Sequence, residues 1–269
     1  MAIWLGPMGK PKNKRPPKFT TTGTQGTDYL YTESTDANGI VHFEIAVLNP
    51  CAFTFSRVVP VDLALFGAGK SGKRGSYNNI EGVANDYGGD GGDGGNILRV
   101  PNVNLSTGVQ YLVNPGTNEG ETTMEASSIG ESYSTGDSGA QAGKAGGDGA
   151  RSYGPAYGQS HDATAGADGE YPWDAGATAS ENLPGILFGP GGGGGGVNNR
   201  TYYVPRSSAE GGVNGGGHGG TSGNVNGTAG AANRAAGGGG GYTNETGYFT
   251  GLNSGAPGGS GIAFIRDHR

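Results

Sequence analysis

The chain has 269 residues, 60 of them glycine and 14 proline, with a formal net charge of −6 and a single cysteine. That much glycine excludes a mainly helical protein, because glycine costs about 1 kcal/mol per helical position relative to alanine. One cysteine excludes an intrachain disulfide framework or a cysteine-based zinc cluster, and no apolar run approaches the roughly 20 residues of a membrane helix.

The composition lies in the range of low-complexity chains, yet the glycine is unevenly placed: residues 1–66 hold 5 of the 60. Such unevenness points to architecture. Glycine does not recur at every third position along the chain, so a collagen helix is not expected. Nor is a signal peptide, since the opening MAIWLGPMG has no basic stretch before its apolar residues.

Residues 1–18 form an arm carrying Lys10, Lys12, Lys14, Arg15 and Lys18 beside Pro11, Pro16 and Pro17, with no acidic residue. The acidic body would repel a phosphate backbone, so the arm reads as a solvated leader or docking peptide and no nucleic-acid partner is expected. Strands follow. Tyr29-Leu30-Tyr31-Thr32 and the run from Ile40 to Leu48 flank Asp36-Ala37-Asn38-Gly39, a hairpin signal in which both Asn38 and Gly39 should reach positive φ. Ala52-Phe53-Thr54-Phe55 and Val58 to Phe66 are further extended runs. In the second, Val59, Val61, Leu63 and Leu65 share one face, with Asp62 opposite.

The character changes at Gly67. Short strands are expected at Ile97-Leu98-Arg99-Val100 and Val109-Gln110-Tyr111-Leu112-Val113, and a last one at Ile262-Ala263-Phe264-Ile265-Arg266. That last strand needs a partner in the first sheet, so residues 130–260 should be one long excursion closed by the C-terminus. Within it lie glycine tracts at 191–196, 215–220 (broken by His218) and 237–241. Each suits an extended left-handed helix of the polyproline II type, which has no internal hydrogen bonds and leaves its amides for neighbouring helices. Only glycine lets backbones approach so closely. The expected fold is therefore mostly β with little or no α-helix. It divides into a basic arm (1–18), an antiparallel β-domain (19–130) and a glycine-rich polyglycine II bundle with recognition loops and a closing strand (131–269).

Phe53-Thr54-Phe55, the run Val58 to Gly69, the segment from Asn96 to Pro115 and the ending Gly258-Gly259-Ser260-Gly261-Ile262-Ala263-Phe264-Ile265-Arg266 together resemble the glycine-rich domains of bacteriophage tail proteins. The resemblance covers roughly residues 52–266. The segment 96–115 is similar to the internal strand pair of those domains. Within that group, adhesins at tail-fibre tips carry a sandwich of polyglycine helices whose intervening loops contact the host. The N-terminal part shows no counterpart of the adhesins' fibre-attachment region.

Motifs of other kinds are weaker. Ala64 to Ser71 nearly matches a phosphate-binding loop, but Ala64 replaces its first glycine and no helix follows. Gly88-Gly89-Asp90-Gly91-Gly92-Asp93 fits one copy of a calcium-binding β-roll repeat, without the following apolar residue or the tandem copies, and reads as a solvated turn. His42, His161, His218 and His268 are scattered, and Asp168 with Glu170 is no more than the pair any acidic chain offers. No enzyme, metal or cofactor is expected. Aromatics set among Asn, Ser and Gly have a recognition-loop composition: Tyr153, Tyr157, Tyr171 and Trp173 before the first tract, Tyr202 and Tyr203 after it, and Tyr242, Tyr248 and Phe249 after the third. They are the candidate receptor-binding residues, or else a small core plugging the ends of the bundle.

The functional expectation is a phage virion protein, a receptor-binding adhesin or tail-tip component. It would meet a host surface protein or glycan, and other tail proteins through its arm or β-domain. The alternative is a structural virion or surface-appendage protein that self-assembles into a homo-oligomer through its glycine-rich domain and by strand exchange, with the basic arm and terminal strand pairing between copies.

Overall fold

A computed structural model of the chain describes residues 16–80, 83–153, 160–199, 204–222, 224–246 and 249–269. It is almost entirely β. The strands up to the first long glycine excursion are β1 (Phe19–Thr21), β2 (Tyr29–Thr35), β3 (Val41–Val47), β4 (Cys51–Phe55), β5 (Val59–Phe66), β6 (Ser76–Ile80), β7 (Val83–Tyr87), β8 (Ile97–Leu105), β9 (Gln110–Asn114), β10 (Thr123–Ala126) and β11 (Glu131–Ser134). After them come β12 (Arg151–Ser152), β13 (Val197–Asn199), β14 (Val204–Arg206), β15 (Thr243–Thr246), β16 (Phe249–Leu252) and β17 (Ile262–Asp267).

Two five-stranded antiparallel sheets, ordered β1-β4-β9-β10-β11 and β2-β3-β17-β5-β8, pack face to face. Alternation dictates this. Val61, Leu63 and Leu65 of β5, with Ala263 and Ile265 of β17, meet Phe53, Phe55, Tyr111 and Val113 from the facing sheet. Edge-to-face rings tie the end of this core, among them Tyr29 on Phe53 at 5.5 Å and Phe19 on Tyr31 at 5.4 Å. Cys51 lies in it, and burial pushes its thiol up to about 11.

β17 pairs with β3 on one side and β5 on the other, so the chain does return to its first sheet. Both edges of the terminal strand are thereby satisfied inside the chain, and it has none left for exchange with a second copy. Two other expectations are corrected. β8 and β9 are not a pair but lie in opposite sheets, because β8 continues the face of β5 while β9 extends β4. In the β2–β3 hairpin only Gly39 takes a positive φ, of 79°. The Asp36 carboxylate accepts the amides of Asn38 and Ile40 at 2.9 and 2.8 Å and closes the turn without the mirror-image geometry.

The second face of the β17 sheet is buried as well. Phe66, Ile97, Ala46, Ile262 and Phe264 pack there against Trp173, Phe188 and Ala235. The segment 170–188 lies across this face like a strap. Buried Glu44 accepts hydrogen bonds from Trp173 Nε1 at 2.8 Å, from the Ser180 hydroxyl and from the Asn182 amide at 3.1 Å. Arg266 donates to Asp62 at 3.2 Å and lies 4.4 Å from the Trp173 ring.

Beyond this face the chain runs outward and back as extended, glycine-bearing stretches: 67–75, 88–96, 143–150, 161–169, 189–196, 207–212, 215–220, 225–231, 235–243 and 253–261. Their amides bond to neighbouring stretches in a three-residue rotation. In 189–196, Gly191 and Gly194 donate to Ala167 and Thr164, Gly192 and Gly195 to Gly92 and Gly89, and Gly193 and Gly196 to Gly217 and Gly220. Its carbonyls accept from 143–150, 207–212 and 235–243. The stretch 235–243 is likewise surrounded. Gly237 and Gly240 donate to Pro190 and Gly193, Gly238 and Gly241 to Lys70 and Lys73, and Gly239 to Thr228, while 88–96, 215–220 and 253–261 donate to it.

The residue pattern follows from this enclosure. A β-carbon on Gly192 would overlap the Gly238 carbonyl, and one on Gly240 the Gly89 carbonyl. The two stretches surrounded on all sides are therefore the uninterrupted glycine tracts. The remaining tract, 215–220, is less enclosed: Gly215 turns the chain at φ 134° and Gly216 bonds back to Gly212. Outer stretches need glycine only on covered faces, hence Gly-Gly-Asp in 88–93 and glycine at every third place in 69/72/75, 143/146/149 and 255/258/261. Period-three glycine is thus present locally although absent from the chain as a whole. The stretches 67–75 and 88–96, assigned by sequence to the β-domain, hydrogen-bond into the same array.

Asp90 and Asp93 are not a loose turn. Their Oδ1 atoms accept the Gly149 and Gly146 amides at 2.9 and 3.0 Å, and their Oδ2 atoms each pair with Lys73 or Lys70 at 2.9 Å. One stretch is thereby stitched to the two beside it. Burial works against ionisation, but these amides and lysines outweigh it and hold both carboxyls below their ordinary value.

Candidate functional site

The alternation of outward and inward stretches sorts the connections by end. At the end nearer the sandwich lie the strap 170–188 and the short turns at 213–214 and 232–234. At the far end, among the described residues, lie the paired strands of the β6–β7 hairpin, β12 with residues 153 and 160–161, the paired strands of the β13–β14 hairpin, residues 221–222 and 224, and the paired strands of the β15–β16 hairpin. These distal segments are bonded to each other. β12 pairs with β7, β13 runs parallel to β15, and Thr243 Oγ1 donates to the Tyr87 carbonyl at 2.7 Å.

The candidate aromatics divide between the two ends. Tyr153 is distal and partly exposed, its ring edge-on to Tyr87 at 5.8 Å with the Arg151 guanidinium 5.9 Å from the Tyr87 ring. Burial raises the Tyr87 phenol, helped by Tyr153. Tyr242, at the base of the β15–β16 hairpin, is only 4% exposed, and burial raises its pKa. Phe249 opens β16. Tyr157, Tyr202, Tyr203 and Tyr248 lie outside the described residues. Tyr171 and Trp173 belong to the strap at the opposite end, and Trp173 is a core residue, 3% exposed. They do not join the distal group, because the strap's rings are drawn onto the apolar second face of the β17 sheet.

Sequence reasoning missed the β6–β7 hairpin with Tyr77 and Tyr87, and with it Arg151 and Arg206. The signal was available: residues 76–87 sit between two glycine stretches, as the chosen loops do. A cavity of about 310 Å³ opens at this end, lined by Arg206, Ser207, Ser208, Thr221, Ser222 and Tyr242.

The other motifs have structural employment. Glu170 is bridged by Arg99 at 2.9 Å and Lys144 at 2.8 Å; burial opposes these pairs, but they hold its carboxyl below the usual range, ill-suited to a general acid. Asp168 Oδ1 accepts the Val213 amide at 2.8 Å. In the near-match to a phosphate loop, Lys70 is taken by Asp93 and the Ser71 amide by Glu119 at 2.8 Å. Among the described residues no cluster of three or more His, Cys, Asp or Glu could hold a metal, and no helix is long and apolar enough to cross a membrane. No protein-family profile matches this sequence, and no curated protein or solved structure is significantly similar to it.

Proposed function

We propose that the chain is a non-enzymatic phage virion protein that contacts the host cell surface through its distal loops, an adhesin or tail-tip component. The observation that carries this reading is the sorting of connections. Hairpins and turns rich in Tyr, Asn, Ser and Thr gather at one end, and the hydrophobic sandwich occupies the other. We read the glycine stretches as left-handed helices of the polyglycine II type packed in a hexagonal array. The support is the three-residue rotation of amide direction and the six neighbours of each enclosed tract. Such helices rise about 3.1 Å per residue, a spacer that sets loops apart from the sandwich while satisfying its own buried backbone.

A rigid layer with adaptable, aromatic-bearing loops is the composition of a recognition surface. The sandwich and the basic arm are left for other virion proteins. The rival reading is a structural protein that self-assembles through its glycine-rich domain and by strand exchange; β17, paired on both edges within the chain, offers the second route no open edge.

Adsorption of the labelled protein to host cells tests the reading. Replacing residues 200–203 by Gly-Ser-Gly-Ser should abolish adsorption with the melting temperature unchanged. Undiminished adsorption by that variant and by the matching variant at 154–159 would remove the distal end from the function.

A further inference from the structure

The distal cavity is built unlike the rest of the surface. Its walls come from three separate connections: Arg206 ends β14, Ser207 and Ser208 begin the inward stretch behind it, and Thr221 and Ser222 form the next turn. Tyr242 closes the base of the β15–β16 hairpin. Among the described residues Arg206 is the one charged side chain in this lining. Its Nε is sealed from solvent with no hydrogen-bond partner, and it forms no ion pair among the described residues. In a chain of net charge −6, where Arg99, Arg234, Arg266 and Arg269 each donate to a carboxylate or carbonyl, a guanidinium without such a partner is a donor waiting for an acceptor. The neighbouring carboxylate, Asp162, accepts the Ser207 amide at 2.9 Å and forms no ion pair with Arg206. Thr221 Oγ1 accepts the Asn224 amide at 3.1 Å and keeps its proton to donate. Around these stand three serine hydroxyls and a buried tyrosine ring.

Resting on the attachment reading above, we propose that this cavity binds one acidic sugar residue, a hexuronate or similar carboxylate-bearing pyranose. The two Nη groups of the Arg206 guanidinium take the carboxylate, the Ser207, Ser208, Ser222 and Thr221 hydroxyls take the sugar hydroxyls, and the Tyr242 ring lies against the apolar face of the ring. A fixed planar fork matches a carboxylate in two bonds, which a neutral sugar cannot return. The volume is at the small end of ligand pockets and suits a single ring.

The test titrates the full chain with D-glucuronate and with D-glucose by saturation-transfer NMR and calorimetry. Glucuronate should bind at least tenfold more tightly than glucose. Arg206→Gln should remove that preference, and Arg206→Lys, which keeps the charge without the fork, should retain part of it, both with wild-type melting temperatures. Equal affinity for the two sugars, binding of neither, or an Arg206→Gln variant that still prefers glucuronate overturns the proposal. Retention on oligogalacturonate but not on lipopolysaccharide vesicles assigns the sugar to a polysaccharide chain, and the reverse assigns it to a glycolipid; both support the pocket. Adsorption to cells, measured in parallel, separates the two claims. Adsorption indifferent to Arg206→Gln and to added glucuronate sinks the pocket alone. Glucuronate binding without adsorption sinks the attachment reading alone.

Discussion

Gly192 and Gly139 are chemically the same residue in different surroundings. A methyl group on Gly192 would meet the Gly238 carbonyl, whereas one on Gly139 would have only Leu98 Cδ1 at 3.8 Å. Gly192→Ala should therefore cost about 3 kcal/mol or more, the upper end for overpacking, plus the hydrogen bonds pushed apart. Gly139→Ala should lie within about 0.5 kcal/mol of wild type, as an unconstrained surface change does. Chemical denaturation of the two variants checks the contrast. The Asp90 and Asp93 stitches make a pH prediction. Their folded pKa values lie below the ordinary 3.8, so their contribution is present above that value and lost as pH falls through the lower, folded one. The melting temperature of Asp90→Asn/Asp93→Asn should fall below wild type at pH 7, and the gap should close in acid below about pH 3.8. A gap independent of pH would mean that the carboxylate charges contribute nothing.

At the scale of elements, β17 joins the sandwich to the glycine array. Phe264 projects from it into the second face, 5.0 Å from Phe188 and 6.1 Å from both Phe66 and Trp173. Phe264→Ala should cost about 3–5 kcal/mol and shift the Trp173 fluorescence to longer wavelength as the strap loosens; an unchanged spectrum would mean that the strap is held by Glu44 alone. This strand, the β2–β3 hairpin and the alternation of β5 were legible in the sequence because each has a strong period-two pattern and a turn or glycine at its boundary. The strap was not legible. Trp173 looks like a loop aromatic among Pro172, Asp174 and Gly176, and what makes it core is an apolar sheet face contributed by residues distant in sequence, Ala46, Phe66 and Phe264 among them. The split of β8 and β9 between two sheets was hidden for the same reason, since sequence shows which residues form a strand and not which edge they meet. The outer glycine stretches were legible in principle. Their glycines stand three apart, but each run, such as 69/72/75 or 143/146/149, is only three glycines long and stands out less than an unbroken tract.

At the scale of the whole molecule, a hydrogen-bonded core takes the place of a hydrophobic one throughout the glycine-bearing stretches. Each amide–carbonyl bond contributes only about 1 kcal/mol net, so the array holds because its enclosed amides are all occupied in register and side chains are absent where they would intrude. The candidate receptor residues were partly legible: the distal placement of Tyr153, Tyr242 and Phe249 follows from their positions beside outward stretches. Arg206 was not, because a lone arginine gains meaning only when three connections converge on it. Loop substitutions at the distal end should change adsorption without changing stability, since the array below them is closed on its own bonds.

Amide hydrogen exchange along the chain tests the central claim most directly. The amides of 191–196 and 237–241, each bonded to a neighbouring stretch, should exchange as slowly as those of β3 and β17, through global unfolding. Exchange in these tracts at the rate of an unstructured glycine peptide, with β3 and β17 still protected, would contradict the account.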